Sequence, residues 1–234
     1  LTGCTGAAGL LLVRRGADAV LVTDPRYEEE AAEQTARSGA AVRVVVGRTV
    51  AEQRKVLAGL VGGLGSVGLE AEHVSWADQR RYADGCFADV ELEACEGLVE
   101  GLRAVKDDGE IARIEAACAC ADAALAAVAP ALEEGPTEAG FARLLEARMR
   151  REGADDISFE TIVASGPNGS RPHHRPGDRV VEIGDLVVID FGALVDGYHS
   201  DMTRTVAVGG PGALDPDRRR MIEVVTTAQA AGVA

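Results

Sequence analysis

Two aspartates, Asp190 and Asp201, are the residues of this chain whose types and spacing most directly suggest chemistry. Asp190 follows the apolar run Leu186-Val187-Val188-Ile189 and precedes Phe191-Gly192, and Asp201 opens Asp201-Met202-Thr203-Arg204-Thr205. Between them lies Asp196-Gly197, a dipeptide suited to a tight type I′ turn because both central residues of that turn need positive φ. With these two as the loop, Asp190 stands opposite Thr203. Asp201 is then the diagonal neighbour of Asp190 on the same face, about 7–8 Å away at the backbone. Two carboxylates crowded on one face repel unless a proton or a cation lies between them. A divalent metal ion, or two, is the natural bridge. The alternative is a pair of solvated strand-end charges. The four apolar residues before Asp190 predict a strand buried on both faces, where a lone carboxylate needs a partner, and this favours metal. Register decides the matter, because a one-residue bulge would send the two side chains to opposite faces.

A second signal is the segment Ser165 to Gly184, rich in Gly, Pro, Asn and His. Within it Arg171-Pro172-His173-His174-Arg175-Pro176 holds two of the chain's four histidines between stiffening prolines. Such a loop either presents an imidazole to a ligand or is a surface loop with incidental histidines. Ser165-Gly166-Pro167-Asn168-Gly169 looks like a phosphate loop but lacks the Lys-Ser/Thr ending that would hold a nucleotide.

These residues need elements to position them. The 234 residues allow one large domain or two modest ones, and a 47% hydrophobic content with only 3% aromatics predicts a core of Ala, Val and Leu. Up to about residue 100, strand-like runs (9–13, 19–23, 42–46, 67–69) alternate with helix-prone stretches (26–37, 51–60, and a short helix capped by Ser75), the pattern of an α/β domain. Residues 9–13 and 19–23 are expected to form a hairpin. From 101 the texture changes. An Ala-rich helix is expected over 107–132, a second helix over 138–151 capped by Thr137, strands over 159–163, 186–191 and 198–208, and a final helix starting at Asp215-Pro216-Asp217.

The net charge of −14 excludes nucleic acid or an anionic membrane as a natural partner. No apolar stretch is read as a membrane span, and no signal peptide is visible. The five cysteines, Cys4, Cys86, Cys95, Cys118 and Cys120, form no metal-type pair and are expected to be reduced thiols of a cytoplasmic protein. A start at Leu1 rather than Met is expected for a piece of something longer.

Taken together, three segments closely resemble the pita-bread metallopeptidases, nearest to the aminopeptidase P and prolidase branch. They are Ala164 to His173, Gly184 to Gly192, and Gly197 to Thr205. Gly101 to Ile111 resembles the segment that opens their catalytic domain. Leu1 to Gly6 and Leu21 to Tyr27 resemble the smaller domain before it. The resemblance implies a creatinase/prolidase-type α/β domain over 1–100, its start clipped, and the first half of an α+β pita-bread catalytic domain over 101–234. It implies two divalent ions, with Mn²⁺ first and Co²⁺ or Zn²⁺ as alternatives. Asp190 and Asp201 are then metal ligands, Thr203 is a polar neighbour of the second Asp that supports the ligands from behind, and His173 contacts substrate. The family's remaining ligands, a His and two Glu, have no match in this chain, so no catalytic base is assigned and the chain alone is expected to be inactive. His174 is expected to tolerate replacement. The implied activity is hydrolysis of Xaa-Pro peptides by a homodimer. A non-catalytic protein of the same fold and a creatinase-like amidinohydrolase remain the alternatives.

Overall fold

In the computed structural model, which describes residues 9–233, the apolar runs β1 (Gly9–Leu12) and β2 (Ala19–Thr23) pair antiparallel, with Leu11 opposite Leu21. After α1 (Glu28–Ser38), β3 (Val42–Val46) joins the other edge of β2 in parallel. The Thr49 hydroxyl accepts the Glu52 amide and starts α2 (Val50–Val61). A separate parallel pair, β4 (Ser66–Glu70) and β5 (Glu91–Cys95), flanks α3 (Trp76–Ala83), whose Ser75 cap accepts the Asp78 amide. β5 is an addition to the elements read from the sequence. α4 (Leu98–Ala104) follows. Val20, Val22, Leu57, Val61, Val67 and Phe87 form the core of this part. Packing divides the chain into two units, the first ending at Ala104 and the second starting at Val105. The segment 1–6, with Cys4, lies outside the described residues.

The second unit opens on α5 (Asp108–Val128). Asp107 accepts the Glu110 amide at 2.8 Å and the Glu110 carboxylate accepts the Asp107 amide at 2.8 Å, a reciprocal cap. The segment Asp108–Glu134 is long and apolar enough to cross a membrane by length and composition, which corrects the reading that no stretch reaches that length. Ala117, Cys120, Ala121, Ala124 and Val128 form one buried stripe at helical spacing. Against this stripe lies α6 (Glu138–Arg151), capped by Thr137, with Phe141, Leu145 and Met149 fully buried.

The strands that follow are β6 (Asp156–Ile157), β7 (Ile162–Ser165), β8 (Leu186–Phe191), β9 (Ala193–Val195), β10 (Tyr198–His199) and β11 (Met202–Ala207), before α7 (Pro216–Val233). The strand expected at 159–163 thus begins three residues later, at Ile162. Two antiparallel three-stranded sheets result, ordered β11-β8-β7 and β10-β9-β6. β8 and β9 are successive pieces of one arm of a long hairpin, and β10 and β11 of the other. Between the pieces sit Gly192 and the pair Ser200-Asp201. A Cβ at position 192 would collide with the Ser200 carbonyl oxygen, so glycine permits the close approach. The Ser200 hydroxyl takes over a ladder position by accepting the Ala193 amide at 2.9 Å.

One expectation is overturned here. β8 is not buried on both faces. Val187, Ile189 and Phe191 are fully buried in the core with α5 and α6, whereas Leu186, Val188 and Asp190 on the other face are half-buried. A strand packed on one side only alternates in this way.

Candidate functional site

Asp190 lies on the central strand of its sheet, between Ile162 of β7 and Thr203 of β11. The Thr203 hydroxyl donates to Asp190 Oδ1 at 2.9 Å. At the hairpin tip, Asp196 (φ 46°) and Gly197 (φ 79°) both have positive φ, as a type I′ turn requires. The tip is anchored to α5. Arg113 Nε donates to Asp196 Oδ2 at 2.6 Å, and the Tyr198 hydroxyl donates to Glu110 at 2.8 Å. Pairing is Tyr198 with Val195 before the break and Met202 with Phe191 after it. The two stretches share one register, so no residue is inserted in either arm. Counting back from Thr203, Asp201 stands across from Gly192, and alternation places it with Thr203 and Asp190 on the half-open face.

The donor chemistry of this face suits a hard divalent cation. Both side chains offer carboxylate oxygens, Asp201 is exposed, and the bond from Thr203 uses one of about four acceptor positions of Asp190. Among the described residues no set of three or more His, Cys, Asp and Glu is grouped to hold a metal.

The loop after β7 shares this face. Its first turn, Gly166–Ser170, packs on β8, where a Cβ on Gly169 would meet Val188 at 3.6 Å. His173 is exposed further along the loop. No hydrogen bond or ion pair joins it to Asp190 or Asp201 among the described residues. His174 is the inward partner: its Nε2 lies 2.7 Å from Glu138 Oε2.

Glu138 is the residue that sequence reasoning missed. It is fully buried at the start of α6. Its Oε1 accepts the Ser165 amide (2.8 Å), the Ser165 hydroxyl (2.7 Å) and the Asn168 side-chain amide (2.9 Å), and its Oε2 also accepts the Gly177 amide at 3.3 Å. Burial alone pushes this carboxyl up. The bonds from Asn168, Ser165 and His174 outweigh burial and bring it down to about 2. The only trace in the sequence is a Glu directly after the helix cap Thr137, which also reads as an ordinary first-turn acid.

Because the folded-state value lies below the ordinary 4.5, the contribution of Glu138 to stability is complete above pH 4.5 and is lost as pH falls toward 2. The expected loss is about 3 kcal/mol across that window. Urea midpoints measured from pH 5 to pH 2 check this. Glu138→Gln should flatten the profile, and an equally steep profile in that variant would assign the acid lability to other carboxyls.

The sequence falls in two recognised parts. Residues 112–234 match the model of metallopeptidase family M24, and residues 1–105 match that of the creatinase/prolidase N-terminal domain. An uncharacterised peptidase of Bacillus subtilis (strain 168) is 37% identical over 234 residues, which are 100% of this chain and 64% of that protein. The solved Xaa-Pro dipeptidase from Bacillus anthracis superposes with a TM-score of 0.89 at 33% identity, over 99% of this chain and 62% of that one. The X-Pro aminopeptidase of Thermotoga maritima gives 0.83 at 35% identity, over 98% of this chain and 62% of that one. The chain thus spans less than two thirds of the length of these relatives. Its architecture is a creatinase-type N-terminal domain followed by part of a pita-bread catalytic domain, and the chain belongs to metallopeptidase family M24.

Proposed function

We propose that this chain is part of a metal-dependent peptidase that cleaves Xaa-Pro peptides. The observation that carries the reading is the unbroken hairpin register that sets Asp190, Thr203 and Asp201 on one half-open face beside the His173 loop. In this reading Asp190 and Asp201 are carboxylate ligands for divalent ions. Thr203 fixes the rotation of the Asp190 carboxylate, as outer partners of metal ligands do. His173 donates a hydrogen bond to the substrate oxygen that gains charge. A bound pair of divalent ions supplies Lewis-acid polarisation of the carbonyl and a more acidic water. An oxygen-rich ligand set suits Mn²⁺, with Co²⁺ or Zn²⁺ as alternatives. The Xaa-Pro specificity is carried over from the relatives named above, and a cytoplasmic homodimer belongs to the same proposal.

The test is an assay of the complete gene product with added Mn²⁺ on dipeptides that differ only in a Pro or Ala at the second position. Metal-dependent cleavage that prefers Pro is expected. Residues 1–234 alone should give none, because two carboxylates hold a dinuclear centre poorly. Turnover that survives Asp190→Ala would overturn the site. A complete protein that binds metal but cleaves neither peptide would point to a binding role instead.

A further inference from the structure

Glu138 takes no part in the chemistry proposed above, yet it holds a fully buried charge. Such a charge persists only when its oxygens are saturated by donors. Those donors come from two stretches of one loop, Ser165 and Asn168 before His173, and His174 and Gly177 after it. Backbone bonds reinforce the hold. The Ala139 amide donates to Gly177 O at 3.0 Å, the Glu138 amide to Arg179 O at 3.0 Å, and the Val181 amide to Pro136 O at 2.9 Å. Arg179 Nη1 adds a second tier, donating to the Ser165 hydroxyl at 2.5 Å and to Asp185 Oδ2 at 2.7 Å. The His174 side chain is only 11% exposed, and its neighbour His173 faces outward. The prolines at 172 and 176 fix φ on either side.

We infer that Glu138 is a positioning residue that sets the place of the His173 imidazole by clasping both ends of its loop through one carboxylate. This rests on the reading of His173 as the substrate-facing histidine. Charge and shape are both required. One oxygen receives three donors and the other receives two. In Glu138→Gln, whichever way the amide is turned, its NH₂ faces at least one N–H that cannot become an acceptor. Glu138→Asp keeps the charge but draws it back by one methylene.

The experiment compares wild type, Glu138→Gln and Glu138→Asp of the complete gene product by hydrogen exchange, metal analysis and kinetics on an Xaa-Pro dipeptide. Amides of 165–178 should exchange at least about tenfold faster in Glu138→Gln, with those of 141–150 unchanged and Glu138→Asp intermediate. The value of kcat should fall by about 10²-fold at constant metal content, as for a catalytic group misplaced by about 1 Å. The double variant with His173→Ala should be no slower than His173→Ala alone, since the two changes remove one function. Unchanged loop exchange, metal loss in parallel with kcat, or multiplying losses would each overturn the inference. If Glu138→Gln does not fold, His174→Ala removes one donor from the same carboxylate and is read by the same criteria. A wild type that cleaves no Xaa-Pro peptide sinks the peptidase reading, while loop exchange still decides the clasp.

Discussion

Asp201→Ala in the complete gene product should lose bound metal and Xaa-Pro turnover together. Asp201 is exposed and follows the Gly192–Ser200 close approach, so its side chain contributes little to the core, and circular dichroism should be unaltered. Its value lies in its oxygens. A ligand-bound divalent ion provides several kcal/mol of transition-state stabilisation, and each 1.4 kcal/mol is about a tenfold change in rate. A drop of about 10³-fold or more is therefore expected, with a matching fall in metal measured by mass spectrometry. Asp201→Asn, of nearly the same shape, should behave almost as badly, because the lost charge is what holds the cation. Full metal content in either variant would show that Asp201 is a solvated strand-end charge, the alternative left open by the sequence.

The second large effect is of the opposite kind. His173→Ala should leave metal content intact and lower turnover by about 10²–10³-fold, the usual consequence of removing one donor to a developing oxyanion. The imidazole is exposed and has no hydrogen bond to either aspartate among the described residues, so nothing in the structure ties it to metal retention. Parallel metal analysis and kinetics on His173→Ala and Asp201→Ala separate the two roles. If His173→Ala strips metal, the histidine is a ligand and the loop has been misread. His174 cannot serve as the silent control that the sequence suggests, because its ring bonds the buried Glu138.

The features that were legible in the sequence are those whose causes are local. Asp196-Gly197 dictates its own turn, the turn dictates the register, and the register places Asp190 against Thr203. Ser75, Thr137 and Pro216 mark helix starts by side-chain chemistry within one turn. The misses have distant causes. Glu138 bonds residues 27 to 39 positions away, and nothing near it in the chain announces them. β5, Glu91-Leu92-Glu93-Ala94-Cys95, has poor intrinsic strand preference and exists because it pairs in parallel with β4. The run Leu186 to Phe191 has no polar residue to mark its outer face until Asp190, so composition could not show that only one face meets the core.

The alternation of β8 has a consequence for how such a protein can change. Its odd-numbered positions, Val187, Ile189 and Phe191, are filled with core, while Val188 and Asp190 face the loop and the carboxylate pair. Selection for persistence and selection for reactivity therefore act on interleaved letters of the same short word. Neighbours share a backbone, so a volume change at Ile189 shifts the Cα of Asp190 as well. Adaptation to heat through this strand would arrive with an altered carboxylate geometry, and tuning of the carboxylates would be limited by what the packing beneath them tolerates.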